Sequence, residues 1–470
     1  MKLEDKVQRK IEQEDKTIYF FQEISKIPRE SGNEKAISNY LCEFAKRRDL
    51  FFIQDSYYNV IIKKKMLETK QPIILQAHID MVCEKEEGKK FDFGKDGIQI
   101  CSDGKYLKAN GTTLGADNGI GVAQILNILD SDLPCNIEAV FTVSEETSMC
   151  GALNLDTSCL QGKCLLNLDG FEANTIILES ASFYDIIFIT NFLFSHKRQG
   201  KTQYHIEIVG LPGGHSGFDI DKNRGNAIVL LANFLEQIED IEISDFVGGT
   251  KFNVIPSHAE AEFSTSLTED DILKRMRSFE SKYKTVFKDI CMRIKIIEEK
   301  DSFLTVQDSH IFLQSILVFQ HGVWYMNKMG QPITSVNLGV VNLKTNEWKI
   351  GMRSSRKDEE KQCLMKLEEY CQNNRMNFQI IGMQPGFQTE KNSKMIQKLR
   401  QAYQKSHKRE PKLQSVHITV EAGIIKEKMP DIEIAIISPN IKGAHTPYEC
   451  VEIESIIQTD KWLHQFLLDF

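Results

Sequence analysis

The sequence predicts an α/β protein, in which a three-layer α/β domain is interrupted by an inserted α+β lid domain. Two observations carry this expectation. Up to about residue 183, unalternating apolar runs such as PIILQAH and IEAVFTVS take turns with helical segments. Such runs are the pattern of strands covered on both faces. From about residue 185, YHIEIVG and AEAEFSTSL alternate apolar and polar residues, as half-exposed antiparallel strands do. The α/β texture returns near residue 390. In a chain of 470 residues, the first domain is expected over 1–185 and 389–470, and the insert over 186–388.

The elements follow in order. Ser31 and Glu34 have the S-x-x-E spacing of a capping box, ahead of a periodic helix ending near Arg48. FFIQ, NVIIKK and PIILQAH read as strands, GKYLKA as a short antiparallel strand, and NGIGVAQILNIL as a helix with glycines near its start. IEAVFTVS and KCLLNLD are again strands. In the insert, YHIEIVG, AEAEFSTSL and MRIKII are strands, and NAIVLLANFLEQIED and DDILKRMRSFESKYKTVF are helices. The stretch 330–385 adds two strands, a helix and NFQIIGM. A helix over 393–407, a second near Thr419, the strand IEIAIIS and a closing helix complete the chain.

Composition narrows the function classes. With 41% apolar and 26% charged residues the chain reads as a soluble globular protein. A net charge of −8 argues against general nucleic-acid binding. The basic clusters Lys63-Lys64-Lys65 and His196-Lys197-Arg198 are short and read as solvated turns. Eleven cysteines without a CxxC read as reduced thiols of a cytoplasmic protein. The N-terminal MKLEDKVQRKIEQEDK is too charged for a signal peptide. The apolar stretch 186–194 is too short to span a bilayer, so no membrane partner is expected.

Chemistry gathers at strand ends. His78 and Asp80 close PIILQAHID, Asp117 lies in GTTLGADNGIG, and Glu145 and Glu146 follow IEAVFTVS. Asp169 follows KCLLNL, and His445 lies in KGAHTP after IEIAIIS. In an open α/β sheet, sites form beyond the carboxyl ends of the strands. Each residue alone has an ordinary explanation: a polar strand cap, a solvated acidic pair, a β-turn, a loop histidine. Their coincidence at the ends of one α/β unit favours a two-zinc site, since zinc takes imidazole and carboxylate ligands. Asp117 would bridge the ions, with His78 and Asp169 on one and Glu146 and His445 on the other. Two dications balance three carboxylates and a bridging hydroxide, so the cluster is formally neutral and can be buried. Asp80, two residues from His78 on the same side of an extended segment, would accept the free imidazole N–H. Glu145 would be the general base that takes the proton of the attacking water and passes it to the leaving amine. Manganese and cobalt are compatible with the same ligands as zinc.

LQAHIDMV, KANGTTLGADNGIGVA, TVSEETSMCGAL, LLNLD, GLPGGHSG, FNVIP and GAHTPYECVEIES resemble, in order and spacing, the co-catalytic zinc exopeptidases. The branch most resembled is that of the aminoacyl-histidine (Xaa-His) dipeptidases. The resemblance implies hydrolysis of a dipeptide with a free C-terminal carboxylate, Xaa-His dipeptides first, and tripeptides or N-acyl amino acids as alternatives within the superfamily. An inactive binding homologue is a further alternative, against which the presence of Glu145 and all five ligands speaks. The resemblance adds His215 of GGHSG as a group stabilising the tetrahedral oxyanion. It adds Arg353 and Asn253 as holders of the substrate's carboxylate and backbone, and His417, with Glu421, as pocket-lining groups. Arg353 suits a carboxylate because its guanidinium pairs bidentately; as the bland alternatives, it could equally sit in a surface ion pair, and Asn253 in a turn. The lid is expected to bring His215 and Arg353 onto the substrate, and both a monomer and a homodimer fit. The chain departs from the pattern at Ala77, where glycine is common, and after Asp169, where it reads GFEANTIILESASFYD.

Overall fold

A computed structural model describes residues 15–65, 67–68, 70–194, 201–298 and 300–470. The charged N-terminal stretch up to residue 14 and the basic cluster at 196–198 lie outside the described residues. Contacts divide the chain into two units. The first comprises the described residues up to Ser180 with Phe387–Val416 and Val420–Phe470; the second comprises Ala181–Gly386 with His417–Thr419.

In the first unit an eight-stranded sheet holds Ile73–His78 between Ile137–Thr142 and Cys164–Asn167, parallel to both. Glu433–Ile436 runs parallel on the far side of Cys164–Asn167. The chain thus leaves Ile73–His78 for one neighbour and later crosses to the other, which makes a switch point at the carboxyl end of Ile73–His78. All six residues of Ile73–His78 and of Ile137–Thr142 are buried, as their continuous apolar runs require. The core beneath is built by residues such as Phe21, Leu41, Leu75, Ile120, Phe141 and Phe466. A second, antiparallel sheet joins Cys450–Glu452 to Tyr106–Ala109. That pairing ties the loop before Cys450, which carries His445, to the chain entering the Asp117 loop.

The expected capping box does not form. The helix Lys35–Lys46 starts one residue after Glu34, which makes no side-chain cap. Ser31 spends its side chain on a buried partner elsewhere in the unit, and Glu34 accepts from Gly32 N at 2.9 Å as well as from a distant buried residue, described below. The helix Lys16–Ser25 was not anticipated. Its cap is Asp15, whose carboxylate accepts from Thr17 N at 2.9 Å and Ile18 N at 3.2 Å.

The second unit is an antiparallel sheet with the order Cys291–Ile296, Thr202–Val209, Ala259–Thr265, Glu242–Gly249, Pro332–Asn342, Glu347–Ser354, Ser182–Ile189, Asn377–Gln384, and Gly322–Met326 beside Pro332–Asn342. The helices Ala227–Leu235, Glu269–Tyr283, Val306–Val318 and Lys357–Asn373 contribute to its core. Glu242–Gly249 escaped the sequence reading because the register shifts between Ile243 and Asp245, which breaks the alternation. Val306–Val318, capped by Thr305, was also missed.

Candidate metal centre

The first unit brings His78, Asp117, Glu146, Asp169 and His445 together. His78 Nε2 lies 3.2 Å from Asp117 Oδ1 and 3.6 Å from Asp169 Oδ1. His445 Nε2 lies 3.1 Å from Asp117 Oδ2 and 3.0 Å from Glu146 Oε2. Asp117 therefore offers one oxygen to each of two histidine–carboxylate pairs. One ligand atom each of His78, Asp117 and Glu146 lie within 4.8 Å of one another. Strand ends supply these groups directly: His78 is the last residue of its strand, and Glu146 and Asp169 stand just beyond Ile137–Thr142 and Cys164–Asn167.

The electrostatics suit cations. Burial pushes Glu145, Glu146 and Asp169 above the ordinary carboxylate range, and neighbouring carboxylates push each further. On His78 burial opposes a charge, but Asp169 and Asp117 outweigh it and hold the ring strongly basic. Hydrogen bonds to Asp117 and Glu146 raise His445 to about 11. Glu146 Oε1 is buried without a partner. Carboxylate and imidazole groups crowded to this degree, with an orphaned carboxylate oxygen, fit divalent metal: a cation would replace the protons that they otherwise carry.

Asp80 is fully buried. It lies 3.3 Å from His78 Nδ1, without hydrogen-bond alignment. Its carboxylate also accepts from Ser31 Oγ at 2.7 Å, Glu145 N at 3.1 Å and Glu146 N at 3.2 Å. Asp80 thus anchors the turn that carries Glu145 and Glu146 as well as facing His78.

In the second unit, Arg353 is 4% exposed on the strand Glu347–Ser354. Its guanidinium lies over the Phe183 ring, 4.3 Å from the centroid. Nε donates to Ser216 Oγ at 3.3 Å and Nη1 to Thr419 Oγ1 at 3.3 Å. It pairs with no carboxylate among the described residues. Its Nη2 is 3.5 Å from His215 Nε2. Gly217 N–H donates to His215 Nδ1 at 3.1 Å, so the neutral ring carries its proton on Nε2. Burial and Arg353 lower His215 to about 4, which keeps it neutral. Arg353 Nη2 and His215 Nε2 are therefore two donors 3.5 Å apart. Asn253 lies in the turn before Val254–Ile255, and its carbonyl accepts from Ser216 N at 2.8 Å. His417 Nε2 is 2.7 Å from Ser335 Oγ, and its Nδ1 has no partner.

Residues 74–469 match peptidase family M20/M25/M40. The chain belongs to this family. It is 31% identical over 459 residues, 93% of each chain, to the cytosol non-specific dipeptidase of Escherichia coli K12. It superposes on the aminoacylhistidine dipeptidase of Vibrio alginolyticus with a TM-score of 0.85 at 28% identity, covering 98% of both chains. A tripeptidase from Staphylococcus aureus shares the fold, with a TM-score of 0.51 at 15% identity and 97% of both chains covered.

Several further residues of this peptidase chain shape the site; Glu421 was expected as a pocket-lining group, whereas Glu449, Gln76, Thr142 and Asn167 were not singled out from sequence. Glu449 accepts from Leu114 N and Gly115 N at 2.8 Å each and from Asp117 N at 3.1 Å, and so holds the Asp117 loop. Glu421 lies under the centre, accepting from Gln76 Nε2 at 2.7 Å and Thr142 Oγ1 at 2.6 Å. Gln76 in turn accepts from Asn167, whose Oδ1 takes the Asp169 N–H at 2.9 Å. The only signal for these groups was polarity inside otherwise apolar strands, as at Gln76 and Thr142.

Proposed function

We propose that this chain is a metal-dependent dipeptidase, with Xaa-His dipeptides as its first substrates. The observation that carries the reading is the Asp117 carboxylate, shared between a His78–Asp169 pair and a His445–Glu146 pair. These five residues would hold two divalent cations, zinc first. Bound there, the cations would supply Lewis acidity, acidifying water and polarising the scissile carbonyl.

The remaining roles belong to the chain's own groups. Glu145 takes the proton of the attacking water and returns it to the amine as the peptide bond breaks. Asp80 steadies His78 and the Glu145 turn. The His215 Nε2–H donates to the developing oxyanion. Arg353, a buried cation without a paired carboxylate among the described residues, takes the peptide's C-terminal carboxylate, while Asn253 and His417 contact its backbone and side chain. The likeness to the Vibrio enzyme supports the Xaa-His preference, and the E. coli relative, named for the cytosol, supports a cytoplasmic location. The test is histidine release from a panel of dipeptides, with and without chelator and with C-terminally amidated controls. Chelator-sensitive cleavage of free dipeptides and poor cleavage of amides are expected. Preference for tripeptides or N-acyl amino acids would overturn the assignment.

A further inference from the structure

The segment Arg29-Glu30-Ser31-Gly32-Asn33-Glu34 lies between the helices Lys16–Ser25 and Lys35–Lys46 of the sheet domain and contributes no ligand, yet its side chains reach three ligand-bearing loops. Arg29 is 2% exposed. Its Nη1 donates to the carbonyls of Ile79 at 3.2 Å and Asp80 at 3.0 Å, just after His78. Its Nη2 donates to Gly115 O at 2.5 Å, two residues before Asp117. The Arg29 carbonyl receives Met81 N–H at 3.1 Å, so the segment also runs beside the chain leaving His78. Ser31 Oγ donates to Asp80 Oδ2, the same oxygen that takes the Glu146 N–H. Glu34 Oε1 accepts from Ser144 N and Ser144 Oγ at 3.0 Å each, fixing the residue before Glu145 in a left-handed conformation with φ 56°.

Each bond alone is ordinary for a buried polar group. Together they are directed: every external partner of Arg29, Ser31 and Glu34 side chains belongs to a loop that presents His78, Asp117 or Glu145–Glu146. Local capping would have satisfied Ser31 and Glu34 with their own helix, and that option is not taken. A ligand set drawn from distant parts of the chain needs its loops fixed to about half an ångström to hold a metal pair. Loops anchored only at their strand ends do not supply this.

We propose that Arg29, Ser31 and Glu34 form a positioning clip, which sets the His78, Asp117 and Glu145–Glu146 loops in the mutual register that two metal ions require. The clip rests on the dipeptidase reading for its purpose, and on the loop contacts for its existence. Arg29 is so deeply buried that replacing it risks the fold, so the test uses the smaller changes Ser31→Ala and Glu34→Gln. Zn²⁺ alone is titrated into chelator-stripped full-length protein against a chromophoric competitor. Both variants are expected to bind zinc roughly 10-fold or more weakly. Ser31→Thr, which keeps the hydroxyl, should bind within about threefold of wild type. Ser38→Ala loses a bond of similar length, Ser38 Oγ to Tyr58 O at 2.7 Å, on the adjoining helix, and should leave zinc affinity unchanged. In the assay for dipeptide hydrolysis, Ser31→Ala should lower kcat at little change in KM. Wild-type zinc affinity in both Ser31→Ala and Glu34→Gln overturns the clip, as does an equal loss in Ser38→Ala. Zinc binding by wild type without peptide hydrolysis overturns the dipeptidase reading and leaves the clip to be judged by the titration.

Discussion

A guanidinium buried without a carboxylate beside it lowers the stability of its own fold, a cost that fits the carboxylate-binding role proposed for Arg353. Burial pulls its pKa down to about 10, with only the field of Asp185 opposing. Replacing such a group by an apolar side chain of similar length is often neutral or stabilising. Arg353→Met should therefore melt no lower than wild type, while kcat/KM for free dipeptides falls roughly 10- to 100-fold, chiefly through KM. A melting loss with unchanged KM would refute the carboxylate role. Glu145→Gln behaves oppositely: kcat should drop by at least about 10²-fold, with zinc binding retained in a titration of the stripped protein. At this scale the sequence was legible where a residue's type declares its chemistry. His78, Asp117, Glu146, Asp169 and His445 are metal-ligand types placed at element ends, and they meet. Arg29 and Glu449 were not legible. They act on backbone carbonyls and amides far away in the chain, and such partners leave no pattern in spacing.

Elements were readable where burial is two-sided or periodic. PIILQAH and IEAVFTVS became the buried central strands because an apolar run of that length has nowhere else to go. Lys16–Ser25, Glu242–Gly249 and Val306–Val318 were missed. The first sits behind a charged stretch, the second carries a register shift, and the third shows no clean polar face. The helix Ala116–Leu129 shows why a helical glycine should not be judged by propensity alone. Gly to Ala inside a helix ordinarily stabilises by about 1 kcal/mol. At Gly119 a Cβ would stand 2.6 Å from Arg29 Nη2 and 2.9 Å from Phe21 Cε2. Arg29 cannot swing away without releasing Gly115 and the His78 loop. Gly119→Ala is therefore expected to destabilise by about 1–3 kcal/mol, measured by chemical denaturation, and to weaken zinc binding. A stabilised variant would mean that Arg29 yields freely.

At the scale of the molecule, the change of texture near residue 185 foretold two kinds of sheet, and each unit also buries groups whose titration bears on stability, some with opposite sign. In the second unit, burial holds His321 at about 4 and, with Arg353, His417 at about 3. His321 Nδ1 accepts from Leu338 N–H at 3.2 Å, so the neutral ring is built into the sheet. The unfolded chain takes up protons on these rings as pH falls below about 6.5, whereas the folded unit does not. Their contribution to stability is complete above about pH 6.5 and is lost as the pH falls toward 4, up to about 3 kcal/mol for His321. Asp460 in the first unit has the reverse sign. Burial pushes it up to about 7 while it accepts from Gln124 Nε2 at 2.8 Å. Its contribution is complete below about pH 4 and is lost as pH rises toward 7. Hydrogen exchange of metal-stripped protein at pH 5 and pH 7.5, corrected for intrinsic rates, separates the two. Protection in Thr202–Val209 and Pro332–Asn342 should fall at pH 5 more than in Val60–Lys64 and Ile137–Thr142. His321→Asn, whose amide oxygen can accept the Leu338 N–H, should reduce that fall. Equal loss in both sets of strands, or no effect of His321→Asn, would show that these rings do not govern the acid response.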